Sequence, residues 1–195
     1  MEATVLPISR YRPTRSAPLF IFVDLQREFL MEGRPLQIVG ADPALANCRC
    51  LLALARAQRF PIAHVRLESA AFYDANGGSE WIEEFRPHGS EMVFLHPKPS
   101  CYSNSEFKNM MDRGGGAAAI LCGLAGSASC LATLIDAHAN SHKVQFAFDA
   151  SSSNALGVDM EIAVHEAAVC IASQFAELLP TKRILAQLSE REVKA

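Results

Sequence analysis

The stretch from Ala117 to Asp149, AAAILCGLAGSASCLATLIDAHANSHKVQFAFD, leaves the fewest folds open. It begins with an unbroken apolar run to Cys122, too short for a helix and suited to a strand buried on both faces. Small residues follow from Gly123 to Ser129, and then Leu131, Leu134, Ile135 and His138 recur at helical spacing. Val144 to Phe148 reads as a second buried strand, ending at Asp149. Strand, tight turn, helix and strand make one right-handed crossover of a parallel sheet. Where such a strand gives way to its helix, unpaired N–H groups and the positive end of the helix can hold an anion. Ser129 and Cys130 both stand at that point.

The rest of the chain keeps the alternation. Leu19 to Val23 is a buried strand that delivers Asp24 at its C-terminal end, the edge where open α/β sheets bind their ligands. Asp42-Pro43 opens a helix with Asp42 as its cap, running to about Gln58 and burying Leu45, Leu51, Leu52 and Leu54. Ile62 to Val65 is the second strand, with His64 as a packed, hydrogen-bonded histidine. Glu68 to Glu91 is irregular, the length of a lid or pocket wall. Met92 to Leu95 is a third strand, with Lys98 three residues beyond it. Ser105 to Arg113 is a helix stopped by three glycines, and the last helices span about Met160 to Leu179 and Lys182 onward. This order predicts a three-layer α/β/α domain over residues 19–195, its doubly wound, mostly parallel sheet holding about six strands. Residues 1–18, with prolines, arginines and no apolar period, read as an arm over the surface or over a partner subunit.

Composition narrows the function classes. The 195 residues suit a single core, and a formal charge of −3 offers no basic face for nucleic acid. No apolar run approaches the length of a membrane span. The six cysteines follow no signal peptide, and several lie in apolar runs as reduced thiols do. A cytoplasmic protein with a small-molecule substrate and neither nucleic-acid nor membrane partners is expected.

Three strand ends, Asp24, Lys98 and the turn at Ser129-Cys130, then stand together. The set resembles the isochorismatase-like (cysteine hydrolase) superfamily, whose members use an Asp–Lys–Cys triad. Phe22-Val23-Asp24-Leu25-Gln26-Arg27-Glu28-Phe29, followed by Gly33-x-Pro35, is similar to the family's strand-Asp-x-Gln-x-x-Phe signature. Pro87-x-Gly89-Ser90-Glu91-Met92-Val93 with Lys98 resembles the segment that brings in the lysine, and Tyr102-x-x-Ser105-x-Phe107-x-x-x-Met111 the helix after it. Asp149-Ala150-Ser151 and His165-x-Ala167 also fit. The family's turn reads Gly-apolar-Ala-Thr-x-x-Cys-apolar-x-x-Thr-x-x-Asp-Ala. With Gly123 on the glycine, Ala125, Thr133 and Asp136-Ala137 fall in register without a gap. That register sets Ser129 on the nucleophile and Cys130 on the apolar position after it, one residue or about 100° of helix away. Making Cys130 the nucleophile requires a shift in both turn and helix.

The resemblance implies a chemistry. A thiol at a helix N-terminus beside a lysine has a depressed pKa. The aspartate takes its proton and returns it to a leaving amine, and the lysine keeps the aspartate ionised. It also implies oxyanion donors at Ala125 and at the nucleophile, with a cis peptide at Leu124–Ala125. Ser129 admits three accounts: an engineered replacement of cysteine, a natural serine nucleophile, or the mark of a fold that has lost catalysis. The Asp-x-His metal motif of the nicotinamidase branch is missing after the second strand, so no metal or other cofactor is expected. These points imply a hydrolase that cleaves a C–N bond of a small amide, ureido or cyclic imide through an acyl-enzyme. The alternatives are an isochorismatase-type vinyl ether hydrolase, for which Ser129 is no obstacle, and a non-catalytic binding or scaffold protein. Phe29, Phe72, Tyr73 and Trp81 are expected as pocket walls, and Arg66 or His88 as anchors for a substrate carboxylate. The family's habit implies a homodimer or homotetramer.

Overall fold

The computed structural model describes residues 17–68, 77–114, 118–154 and 160–192. The expected arm lies outside them except for its last two residues, and Phe72 and Tyr73 lie outside them too. Six parallel strands form one sheet in the order β3-β2-β1-β4-β5-β6. They are β1 (Leu19–Val23), β2 (Ile62–Leu67), β3 (Met92–His96), β4 (Ala119–Gly123), β5 (Val144–Ser151) and β6 (Glu177–Leu179). The helices are α1 (Asp42–Ala57), α2 (Ser105–Arg113), α3 (Leu131–Ala139), α4 (Glu161–Ala172) and α5 (Thr181–Glu192).

The two-residue period of a strand sorts the core into layers. Phe20 and Phe22 of β1 pack against Leu45, Leu51 and Leu52 of α1 and Ile184 of α5. The alternate residues Ile21 and Val23 pack against Phe107 of α2, Leu134 of α3 and Ala172 of α4. The result is a three-layer α/β/α fold, with both sheet faces covered as a parallel sheet requires.

Strands β2 and β5 run on beyond their expected ends, to Leu67 and Ser151, and three further boundaries differ from expectation for local reasons. Asp42 is the first helical residue rather than the cap, which is Ala41; its acid still sits at the positive end of α1 beside Pro43. The span read as one helix to Leu179 stops at Ala172, turns through Ser173 to Ala176, and resumes as the edge strand β6. No glycine or proline marks that turn, so apolar content alone carried the helical reading across it. Last, β3 runs one residue beyond Leu95, to His96. That residue governs the site below.

The strands at the centre of the sheet meet closely. Gly123 ends β4 at φ +133°, a conformation favouring glycine, and any Cβ there would run into the backbone of Val23. The β4–β5 register slips between Leu121 and Gly123, which opens the sheet edge where the next turn begins. Gly123→Ala should therefore destabilise the fold by about 3 kcal/mol or more, since strained φ and a backbone clash act together. Equilibrium urea unfolding measures this, and a change within a few tenths of a kcal/mol would contradict the close approach.

Candidate active site

Asp24 follows β1 in a left-handed conformation, φ 55°, and is wholly buried. Its Oδ1 accepts from the backbone N–H of Leu67 at the end of β2, 2.9 Å away, and from His96 Nε2 at the end of β3, 2.8 Å away. Its Oδ2 is buried and has no hydrogen-bond partner among the described residues. Gln26 backs the arrangement: Oε1 accepts from the same Leu67 N–H, and Nε2 donates to the carbonyls of Leu67 and Ser79. One carboxylate and one carboxamide thus lock the ends of three strands and the segment that carries Trp81.

His96 is also fully buried, and its hydrogen bonds fix its proton count. Nδ1 lies 2.6 Å from the Lys98 carbonyl oxygen, which can only accept, so Nδ1 carries a proton. Nε2 lies 2.8 Å from a carboxylate oxygen, and that contact holds only with a second proton between them. Burial pulls the imidazole pKa down, but the hydrogen bond and charge of Asp24, helped by the Lys98 carbonyl, outweigh it and leave it raised. The side chain that meets Asp24 is therefore His96 and not Lys98. Lys98 is exposed and contributes its backbone carbonyl instead. The reason is the added residue of β3: the strand reaches the sheet edge at His96, and Lys98 is already in the following turn. His96 lies outside the strand that the sequence pattern predicts and is not among the residues it singles out; only His64 is read there, as a packed histidine.

β4 brings in the remaining part. Leu124 N–H donates to the Val23 carbonyl at 3.0 Å, which sets the turn after β4 directly beside Asp24. The Leu124–Ala125 peptide is trans, contrary to the expected cis bond; the chain reverses through Ala125 in the left-handed region, φ 55° and ψ 44°. Gly126 to Cys130 then form a single wide helical turn of π type leading into α3. Gly126 N–H donates to the Ser152 carbonyl at 2.7 Å, and Ser127 N–H to Ser153 Oγ at 2.9 Å. Ser153 Oγ in turn bonds His165 Nδ1 at 3.2 Å, while His165 Nε2 donates to the Phe148 carbonyl at 3.1 Å. A Cβ on Gly126 would press on Ser151 Oγ and His165 Nδ1, so the turn tolerates no side chain there. Thr133 Oγ1 accepts from Cys101 N–H at 3.0 Å, tying α3 to the segment that follows His96.

Ser129 is buried, and its hydroxyl makes no hydrogen bond with any described residue. Cys130 has a different setting. It is fully buried among Ile21, Val23, Cys101 and Leu134, and its thiol donates to the Leu124 carbonyl at 3.3 Å. Burial first, and then the negative charge of Asp24, push the Cys130 thiol well above its ordinary pKa. This is the environment of a structural thiol rather than of an activated one.

The other expected residues divide by edge. Arg66 sits on β2 beside Leu67; its guanidinium lies 5.5 Å from the Trp81 ring centre and donates to the Ser79 carbonyl. Trp81 pairs with Gln26 through an isolated bridge. Phe29 is a core residue in the α1 layer and not a pocket wall. His88 is misplaced as an anchor: it lies in the segment entering β3, at the N-terminal edge of the sheet. There it borders a cavity of about 620 Å3 with Arg56, Arg59, Ile62 and Met92. Its N–H donates to Glu91, which also accepts from Arg56 and from His64. Burial alone would raise the Glu91 carboxyl, but these donors hold it down at about 2. Among the described residues no group of three or more His, Cys, Asp and Glu side chains is arranged to hold a metal. Nor is any helix among them long and apolar enough to cross a membrane.

A family model described as the isochorismatase domain matches residues 18–181. The chain belongs to that family. Among solved structures it is similar to an isochorismatase from Pseudomonas putida KT2440, with 25% identity and a TM-score of 0.78 over 87% of this chain and 90% of that one. An isochorismatase-like hydrolase from Alkaliphilus metalliredigens gives a TM-score of 0.75 at 17% identity, covering 90% of this chain and 98% of that one. A cysteine hydrolase from Pseudomonas syringae pv. phaseolicola gives 0.78 at 18% identity, covering 90% and 93%. Comparison with curated protein sequences finds no match. The family makes this chain an isochorismatase-like hydrolase.

The thiol settings give a direct check. Cys50 and Cys170 are exposed, whereas Cys48, Cys101, Cys122 and Cys130 are buried. Ellman's reagent on the native protein should modify Cys50 and Cys170 quickly and the other four only after unfolding. Rapid modification of Cys130, located by peptide mapping, would mean that its thiol is accessible and activated after all.

Proposed function

We propose that this protein hydrolyses a C–N bond of a small amide, ureido or cyclic imide compound, with Ser129 as nucleophile and Asp24 as its base. The observation that carries the reading is the division of labour on Asp24. Oδ1 is fully engaged by Leu67 and His96, while Oδ2 is buried, has no hydrogen-bond partner among the described residues and can take a proton. In the acylation step Ser129 Oγ bonds to the substrate carbonyl carbon as its proton moves to Asp24 Oδ2. The C–N bond then breaks, and the amine leaves with that proton. Water adds to the ester, again giving a proton to Asp24, and the acid departs as Ser129 recovers its hydrogen. The backbone N–H groups of Ala125 and Ser129 would hold the oxyanion, those of Gly126, Ser127 and Ala128 being engaged within the turn and with the segment after β5; such a contribution typically amounts to about 100- to 1,000-fold in rate. Arg66, at the same sheet edge and braced on Trp81, supplies a cation for a substrate carboxylate. The reading calls for no metal, so activity should survive a strong chelator.

A second reading is favoured by one observation, the proton held between Asp24 and His96. A site storing a proton suits acid-catalysed cleavage of a vinyl ether, for which no nucleophile is needed. Residue 129 separates the two. Against a panel of amides, ureides and cyclic imides, the native protein should turn over at least one compound. Ser129→Ala should abolish that activity, and Ser129→Cys should raise it, because a helix-terminal thiolate is the better nucleophile near neutral pH. Vinyl ether cleavage that survives Ser129→Ala, with no amide turned over, would replace the first reading by the second.

A further inference from the structure

We propose that His96 is a positioning residue that takes over the charge role of the family's lysine, so that the site works only while Asp24 and His96 keep their shared proton. The proposal rests on Asp24 acting as base in the reading above. Its ground is geometric. His96 is wholly buried and held from both sides, by the Lys98 carbonyl at 2.6 Å and by Asp24 Oδ1 at 2.8 Å. Flipping the ring would put a carbon against each partner, so the present orientation is the only one that uses both. Removing the shared proton leaves an imidazole lone pair facing a carboxylate oxygen at 2.8 Å, both groups being fully buried and the flipped ring offering only carbons in its place. Oδ1 would then lose its stronger donor, and the rotation of the carboxylate that aims Oδ2 would no longer be fixed.

The groups facing the pair offer no replacement charge. The Cys130 thiol on the turn after β4 and the Cys101 thiol before α2 both feel the charge of Asp24. Burial, first of all, pushes both upward, so they stay neutral. On β2 the pair is met by the Leu67 N–H, and the neighbouring Arg66 guanidinium is turned to Trp81 and Ser79. Lys98 is exposed, and what it presents to His96 is its carbonyl. A lysine keeps its proton to about pH 10, whereas a histidine ordinarily gives it up near pH 6.5. Asp24 and the Lys98 carbonyl outweigh burial and raise that limit, but the limit remains a histidine's. The site therefore has an alkaline ceiling that a lysine-bearing relative lacks.

Two measurements on the full chain test this. In 15N-labelled protein, both ring nitrogens of His96 should carry protons at pH 7 and give one up only at a pH above that of an ordinary histidine. The signals are assigned by their loss in His96→Lys. In parallel, a fluorophosphonate probe reports on the nucleophile: Ser129 Oγ displaces fluoride from phosphorus, and its proton passes to Asp24. The labelling rate of Ser129 should fall on the alkaline side as His96 loses its proton. His96→Lys should move that fall upward by about two pH units or more, and His96→Gln should cut the rate about 100-fold at pH 7. Circular dichroism establishes that each variant is folded, and His96→Lys carries the test should the glutamine variant fail. A neutral His96 at pH 7, or an alkaline limb that His96→Lys leaves in place, overturns the proposal. If Ser129 is labelled at no pH, the serine-nucleophile reading fails by itself. The NMR titration then decides: a doubly protonated ring supports the shared proton, and a neutral ring ends it.

Discussion

Most of this structure's functional geometry hangs on Asp24 Oδ1. Two donors from two strands, the Leu67 N–H and His96 Nε2, converge on one oxygen that a third strand delivers. A buried carboxylate with no such partners would be costly enough to neutralise itself or to displace the chain around it. Here the cost is offset by charge-assisted hydrogen bonds, and the ends of β1, β2 and β3 are fixed relative to each other as a by-product. Gln26 repeats the pattern in neutral form, reading the donor and acceptor of Leu67 with one carboxamide. The left-handed φ of Asp24 is the local strain that this convergence holds in place.

Much of this was legible in the residues, and the misses have identifiable causes. Buried parallel strands advertise themselves as short apolar runs, so β1, β2, β4 and β5 and the crossover through α3 follow directly from composition and spacing. Asp24 was legible because it ends such a run at the carboxyl edge of the sheet, where open α/β sheets bind their ligands. His96 was not, because an imidazole inside or at the end of an apolar strand has the same appearance whether it packs, as His64 does, or serves a carboxylate. Only the length of β3 distinguishes them. One residue of strand decides whether His96 or Lys98 reaches the sheet edge, and strand ends are where pattern reading is weakest. Phe29 and His88 show the same limitation: residue type suggested roles that location did not allow.

The neighbouring Ser129 and Cys130 show how a single helical step divides chemistry from packing. Cys130 belongs to the apolar layer formed by Ile21, Val23 and Leu134, where its sulfur is held to the Leu124 carbonyl. Its nearness to Asp24 makes it less acidic rather than more, since a carboxylate opposes the thiolate. Proximity to a catalytic-looking carboxylate is thus no mark of a nucleophile unless a cation or a row of backbone donors answers the charge.

The turn that carries Ser129 is held by hydrogen bonds that all point one way. Ser127 offers a backbone N–H, the Phe148 carbonyl can only accept, and between them stand the Ser153 hydroxyl and the His165 ring. With the two ends a fixed donor and a fixed acceptor, and the His165 ring protonated at Nε2 alone, every hydrogen in the series points the same way. Such a relay has polarity, like a row of aligned dipoles, and its positive direction runs from the turn toward β5. A residue exchanged in α4 could therefore interrupt the row and be felt as a rotated peptide in the nucleophile turn. The packing of this neighbouring helix is in this sense written into the electrostatics of the site.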